Sequence, residues 1–323
     1  MPVLAAYMVP HPPMIVPEIG KGSERQIVPT IRAYEQVAAE IAALKPETII
    51  VSSPHSVLYA DYFHISPGKG AEGDFGRFGA PKVRFRETYD TELAGAICAL
   101  AEEKGFPAGT LGERDRHLDH GTMVPLHFVE QAYTDFRLIR IGLSGLPLSD
   151  HYAFGQIIRQ AVAQTGRRVV YIASGDLSHK LQAYGPYGFA PEGPAYDERI
   201  MDVCGRAAFG ELLDFEESFC DKAAECGHRS FVIMAGALDG LAVEVRQLSH
   251  EDVTGSGTAS APSRREQRTG NGISWSSGGS GRRKRCGPVG RRKIPMCGWP
   301  GRPLSSMSAK GNGTRCRHGP CRK

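Results

Sequence analysis

Apolar and polar positions follow two alternating periods along the first 250 residues. Residues 3–9 (VLAAYMV) form an apolar run closed by Pro10, His11, Pro12 and Pro13, the pattern of a buried strand entering a rigid loop. From about Ser23 to Leu44 the side chains of Ile27, Ile31, Tyr34, Val37, Ile41 and Leu44 recur every three or four residues, which predicts an amphipathic helix. ETIIVSS (47–53) reads as the next strand and also stops at a Pro-His corner, Pro54-His55. A Gly-rich loop (68–79) precedes a predicted helix over 90–104, and predicted strands over 136–143 and 168–174 flank a helix over 149–164. The second of these strands runs into Gly175-Asp176-Leu177-Ser178-His179. Helices are predicted over 195–208 and 228–239, and the alternating LAVEVRQL (241–248) as a closing strand. Strands interleaved with helices predict an α/β fold, a central mixed sheet with helices on both faces. Ligands of such sheets bind beyond the carboxyl ends of the strands, where His11, His55 and His179 stand.

Charge divides the chain in two. Residues 255–323 carry 16 Lys+Arg against Glu266 alone, a net +15, whereas residues 1–254 sum to −11; the overall +4 describes neither part. The tail also holds both Trp, four of the eight Cys and 14 of the 39 Gly, with no apolar run able to enter a core, so it is expected to be disordered. Its Cys286, Cys297, Cys316 and Cys321 form no Cys-x-x-Cys unit that would argue for zinc. An acidic body argues against nucleic acid as a partner. No stretch approaches the roughly 18 apolar residues of a spanning helix, and the N-terminus lacks the basic start of a signal peptide, so no membrane partner and a cytoplasmic location are expected. Cys98, Cys204, Cys220 and Cys226 show no paired framework and read as reduced thiols. The oligomeric state is open, a homo-oligomer included.

Four histidines fall just after strands or in Gly/Pro/Asp-rich loops: His11, His55, His120 and His179. A single loop histidine is ordinarily a surface residue. Four in such positions in one α/β body point to metal ligation or proton transfer, because neutral imidazole is a common metal ligand and titrates near neutrality. His64, His127, His151 and His228 lack that context and read as structural.

Val9-Pro10-His11-Pro12-Pro13, Ser53-Pro54-His55-Ser56, Leu118-Asp119-His120-Gly121 with Val124-Pro125-Leu126, and Gly175-Asp176-Leu177-Ser178-His179 occur in this order. Together they resemble the class III (LigB-like) extradiol ring-cleavage dioxygenases over nearly all of residues 1–250. The resemblance implies an Fe(II) site, or another divalent metal, that binds a small aromatic dihydroxy substrate and O₂. By motif, His11 and His55 would be metal ligands and His179 the catalytic acid/base, with Asp176 orienting its loop. His120 would line the substrate pocket and act on substrate or oxygen, supported by Asp119. The third ligand falls in Ala224-Glu225-Cys226-Gly227. Glu225 would complete a two-His-one-carboxylate set and is favoured because a hard carboxylate suits ferrous iron; Cys226 is the alternative and resembles the related Memo-like branch, metal-binding accessory proteins without ring cleavage. Tyr184, in the Gly/Pro-rich aromatic loop after His179, would contact the substrate ring, or be an ordinary loop residue.

The resemblance also bears on the tail. Read two bases along, codons for 255–263 permit FGYGICTF, and those for 292–301 permit EDPYVRLAR, which resembles the opening helix of the AMME-region domain often fused behind LigB-like domains. We therefore read residues 1–254 as the LigB-like domain and 255–323 as the product of a frameshift near Thr254. That reading leaves the sheet without its last strand.

Overall fold

A computed structural model describes residues 3–185, 187–252 and 257–265. Four parallel strands form the centre of its main sheet: β1 (Val3–Val9), β2 (Thr48–Ser53), β5 (Arg137–Gly142) and β6 (Val169–Ser174). A two-stranded ribbon, β3 (Gly70–Phe75) and β4 (Ala80–Thr88), stands apart from it. Three strands follow, β7 (Val243–Val245), β8 (Ser249–Asp252) and the longer β9 (Gly257–Arg265). The spatial order is β8-β9-β1-β6-β2-β5, with β7 also on β9, seven strands among the described residues. The helices are α1 (Val28–Leu44), α2 (Thr91–Glu103), α3 (His120–Val129), α4 (Leu148–Thr165), α5 (Glu192–Gly205), α6 (Glu217–Ala223) and α7 (His228–Ala237). The mixed α/β architecture agrees with the expectation from sequence.

The central strands are buried almost throughout and mostly apolar because both faces are covered. In β6, Val169, Tyr171 and Ala173 join one core with Phe154, Ile158, Tyr196 and Phe231, while Val170 and Ile172 join the other with Tyr34, Ile41 and Val124. Every residue of β2 and β6 is buried. With β6 lying between β1 and β2, the loops leaving these three strands emerge side by side.

Three segments differ from expectation. The Gly-rich stretch 68–79 is mostly the first strand and turn of the β3–β4 ribbon; Ala71 and Phe75 are buried, and Gly73 lies so close to Leu118 and Met123 that a Cβ there would meet the Met123 Sδ at 2.6 Å. Its glycines mark close packing, which a sequence pattern reads as a loop. Of the strand expected over 241–248 only Val243–Val245 forms, and β8 follows it at Ser249, because three residues (246–248) stand opposite two (Ala261 and Pro262) on β9, a bulge at a proline that has no N–H to offer. Finally, β9 falls within the stretch assigned to the tail and pairs antiparallel with β1, Ala5 opposite Arg264 through Met8 opposite Ala261. The edge of β1 that the frameshift reading leaves bare is thus occupied here by Gly257–Arg265. The expected disorder of 266–323 lies outside the described residues.

Candidate metal centre

The loops after β1, β2 and β6 bring His11, His55 and His179 together at the carboxyl end of the sheet, and the first residue of α3 adds His120. His11 Nε2 lies 2.9 Å from His55 Nε2, and the His120 ring is 4.0 Å from that of His55 and 5.4 Å from that of His11, centroid to centroid. The Sγ of Cys226 is 3.6 Å from His11 Nε2. One ligand atom from each of His11, His55 and Cys226 lies within 4.8 Å of the others, and the same holds for Asp176, His179 and Cys226.

The proton positions on His11 follow from the helix beside it. Pro125 sits inside α3 and has no N–H, so the Gly121 carbonyl one turn earlier lacks its usual helical donor. Ser174 Oγ donates to that carbonyl at 2.5 Å. With its proton committed there, Ser174 Oγ accepts from His11 Nδ1 at 2.9 Å. His11 therefore carries its proton on Nδ1, and Nε2 presents a lone pair toward His55 and Cys226. Burial lowers the pKa of His11 to about 4, with Asp176 opposing and His55 assisting, and burial followed by His120 lowers that of His55 to about 4. Both are neutral at pH 7. Two neutral imidazoles and a thiol sulfur are a donor set that fits a borderline or soft transition metal.

Glu225 is not brought to this cluster. Ala224, at the end of α6, adopts a left-handed conformation (φ 53°), and the N–H groups of Cys226 and Gly227 both donate to the Asp176 carbonyl. Gly175 and Gly227 are in backbone contact: a Cβ on Gly175 would meet Gly227 Cα at 2.1 Å. This turn sends Cys226 toward the imidazoles and folds the Glu225 carboxylate back onto the His228 N–H at 2.5 Å, where it caps α7. Burial raises the Glu225 carboxyl to about 7 against the opposing pull of that N–H and Arg229.

His179 differs from the other three histidines. Its Nδ1 donates to the Ala224 carbonyl at 2.5 Å, and its Nε2 lies 3.5 Å from Asp176 Oδ2. Burial would lower its pKa, but Asp176 and the Ala224 carbonyl outweigh burial and raise it. Asp176 is itself buried; burial works against its ionisation, but His11, His179 and the His11 backbone N–H, 2.7 Å from Oδ1, hold its carboxyl well below the usual range. His120 stays neutral, its pKa lowered to about 4 by burial and then by His11.

The remaining expected residues fall as follows. Asp119 accepts from Ser53 Oγ (2.6 Å) and from the N–H and hydroxyl of Thr122 (3.0 and 2.9 Å), and so holds the start of α3 beside His120. Tyr184 is 75% exposed; its neighbour Tyr187 instead sets its ring 5.1 Å from that of His179. Sequence reasoning missed Phe78 at the tip of the β3–β4 ribbon, whose ring lies 5.4 Å from that of His120. It also missed Arg140, buried in β5, which donates to Ser66 Oγ and to the carbonyls of His117 and Asp115 (2.8, 2.5 and 2.7 Å) and lies 3.8 Å from Asp119. A charged residue in the middle of the apolar RLIRIG was the available signal. No helix among the described residues is long and apolar enough to cross a membrane.

Comparison with known proteins places this geometry in context. The chain is 33% identical over 259 residues to a protein of Clostridium acetobutylicum, covering 78% of this chain and 55% of that one. It is 24% identical to a 2-aminophenol 1,6-dioxygenase beta subunit of a Pseudomonas species, over 80% of this chain and 92% of that subunit. A MEMO1 family protein of Pyrococcus abyssi is 28% identical over 54% of this chain and 60% of its own length. The chain thus spans little more than half the length of the Clostridium and Pyrococcus relatives. An uncharacterized Escherichia coli K12 protein shares the fold, with a TM-score of 0.52 at 16% identity over 80% of this chain and 99% of that one. The family model described as the catalytic LigB subunit of aromatic ring-opening dioxygenase matches residues 5–261, and the chain belongs to that family.

Proposed function

We propose that this protein is a metal-dependent oxidoreductase of the dioxygenase type, with a metal ion held by His11, His55 and Cys226 and a small phenolic substrate, a catechol or an aminophenol, as its partner with O₂. The observation that carries the reading is a proton-handling set next to the three donor atoms: His179 with its pKa raised by Asp176, and His120 kept neutral beside His55. A phenol must lose a proton on binding and regain one before the ring opens. His179 accepts it at Nε2, where Asp176 Oδ2 stabilises the imidazolium, while its Nδ1–H stays on the Ala224 carbonyl. His120 offers a neutral nitrogen toward the ligand's second polar atom. Phe78 and Tyr187, against His120 and His179, supply apolar edges for an aromatic ring and exclude water. The metal, when bound, would supply the electronic coupling between the aromatic ring and O₂; ferrous iron is the ion that this chemistry favours.

The relatives support both this reading and a second one. The 2-aminophenol dioxygenase subunit, matched over nearly all of its length, favours the enzyme; the MEMO1 family relative and the Cys226 sulfur favour a metal-binding accessory protein without ring cleavage. Anaerobic loading with Fe(II), followed by catechols and 2-aminophenol and then O₂, separates them. The enzyme reading expects a coloured ring-opened product with one O₂ consumed per substrate. Metal uptake without O₂ consumption across the whole panel would leave only the accessory reading.

A further inference from the structure

The segment just before the described part of the tail is tied to the acid/base loop in a way that the reading of His179 does not require. β8 pairs only with β9 in the sheet, Ser249 opposite Ser260 through Asp252 opposite Gly257. Successive side chains of a strand point to opposite faces. Ser249 and Glu251 accordingly face the start of α1, where Thr30 Oγ1 donates to Glu251 Oε2 at 2.5 Å and lies 3.3 Å from Ser249 Oγ, and the Thr30 N–H reaches the same carboxylate at 2.8 Å. His250 and Asp252 face the other way. His250 Nε2 lies 3.1 Å from Asp197 Oδ2, and Gln182 donates to Asp252. Asp197, buried in α5, uses its other oxygen to accept the Ser178 N–H at 2.9 Å. Ser178 and Gln182 lie on either side of His179, so the loop is gripped before and after that residue by one face of a single strand.

We propose that His250, acting through Asp197, and Asp252, acting through Gln182, are positioning residues: β8 is a strap that holds the 178–182 loop so that His179 stays against Asp176 and the Ala224 carbonyl. The proposal rests on the acid/base reading of His179 for its catalytic consequence, though not for the tether itself. Holding a catalytic group within a fraction of an ångström requires support from behind it, and a loop between Gly175 and Gly185 has little rigidity of its own. The opposite face of the strap provides an internal control, since Glu251 ties a different element.

Hydrogen exchange on the full-length protein, read segment by segment, tests the tether without reference to turnover. The His250→Ala and Asp252→Ala variants are each expected to speed exchange across 178–182 about tenfold while α4 and α7 keep their protection. His250→Gln, which keeps an N–H donor toward Asp197, is expected to restore it. Glu251→Ala is expected to loosen the start of α1 and leave 178–182 unchanged. If the alanine variants fold poorly, Gln182→Ala, which removes the donor toward Asp252 without altering β8, is the milder test and is expected to loosen the Gln182 end alone. Unchanged exchange at 178–182, or an equal rise in every segment, would overturn the proposal. A second readout is kinetic: in the His250→Ala protein kcat is expected to fall several-fold with KM held, and His250→Gln to recover it. Absence of turnover in the unmodified protein would count against the enzyme reading alone, since the exchange result still decides the tether.

Discussion

Lowering the pH from about 6.5 toward 4 is expected to unfold the metal-free protein as its buried imidazoles take up protons. His11, His64, His151 and His228 are fully enclosed. Burial is the first cause that lowers the pKa of each, to about 4 for His11, His64 and His228 and to about 3 for His151. Their unfolded value is about 6.5, so between the two limits the unfolded chain binds more protons and stability falls with falling pH. Each such group contributes a slope of up to about 1.4 kcal/mol per pH unit, and four together are comparable, over one or two units, with the roughly 5–15 kcal/mol that stabilises a domain. His179, His250 and the Glu225 and Glu130 carboxyls act in the opposite sense, because their folded values are raised and their contribution is largest at low pH. His55 and His120, also lowered to about 4, join the first set and keep the sign of the slope. Circular dichroism across a pH series should place the acid transition near pH 5, and His151→Gln should make the pH dependence shallower. A protein fully folded at pH 4 would show that these imidazoles are protonated without cost.

Replacing His179 by Ala is expected to reduce ring-opening turnover by about 10²- to 10⁴-fold while leaving metal content unchanged, the loss typical of a positioned acid/base. Because Asp176 raises the His179 pKa, Asp176→Asn should move the acidic limb of the pH profile to lower pH: with burial unopposed, His179 becomes neutral, and able to accept a proton, at more acidic values. Kinetics between pH 5 and 8 on the metal-loaded protein would reveal both effects. A shift to higher pH, or metal loss in His179→Ala, would move His179 out of the proton-transfer role and into the ligand set with Asp176 and Cys226.

The parts of the site visible in sequence were those written in local punctuation. A strand ending in Pro-His specifies where the imidazole leaves the sheet, and it does so for His11 and His55; the run from β6 into Gly175-Asp176 does the same for His179. What stayed hidden depended on conformations that residue type does not announce. The separation of Glu225 from Cys226 turns on a left-handed alanine at 224, where glycine or asparagine would have been the usual signal. The role of Ser174 depends on a carbonyl freed by Pro125, almost fifty residues earlier. The β3–β4 ribbon was obscured because Gly73 interrupts the buried alternation of Ala71 and Phe75 and the stretch around it is rich in glycine. Arg140 reads as an exposed strand position until the 113–119 segment closes over it.

The proposed metal site depends on Cys226 rather than Glu225 joining the two imidazoles. Cobalt(II) titration of the metal-free protein tests this most directly, since a thiolate ligand gives an intense near-ultraviolet charge-transfer band and a carboxylate does not. The band is expected in the unmodified protein and in Glu225→Gln, and is expected to vanish in Cys226→Ser. A centre without that band, or one abolished by Glu225→Gln and indifferent to Cys226→Ser, would contradict the assignment and restore the two-His-one-carboxylate site.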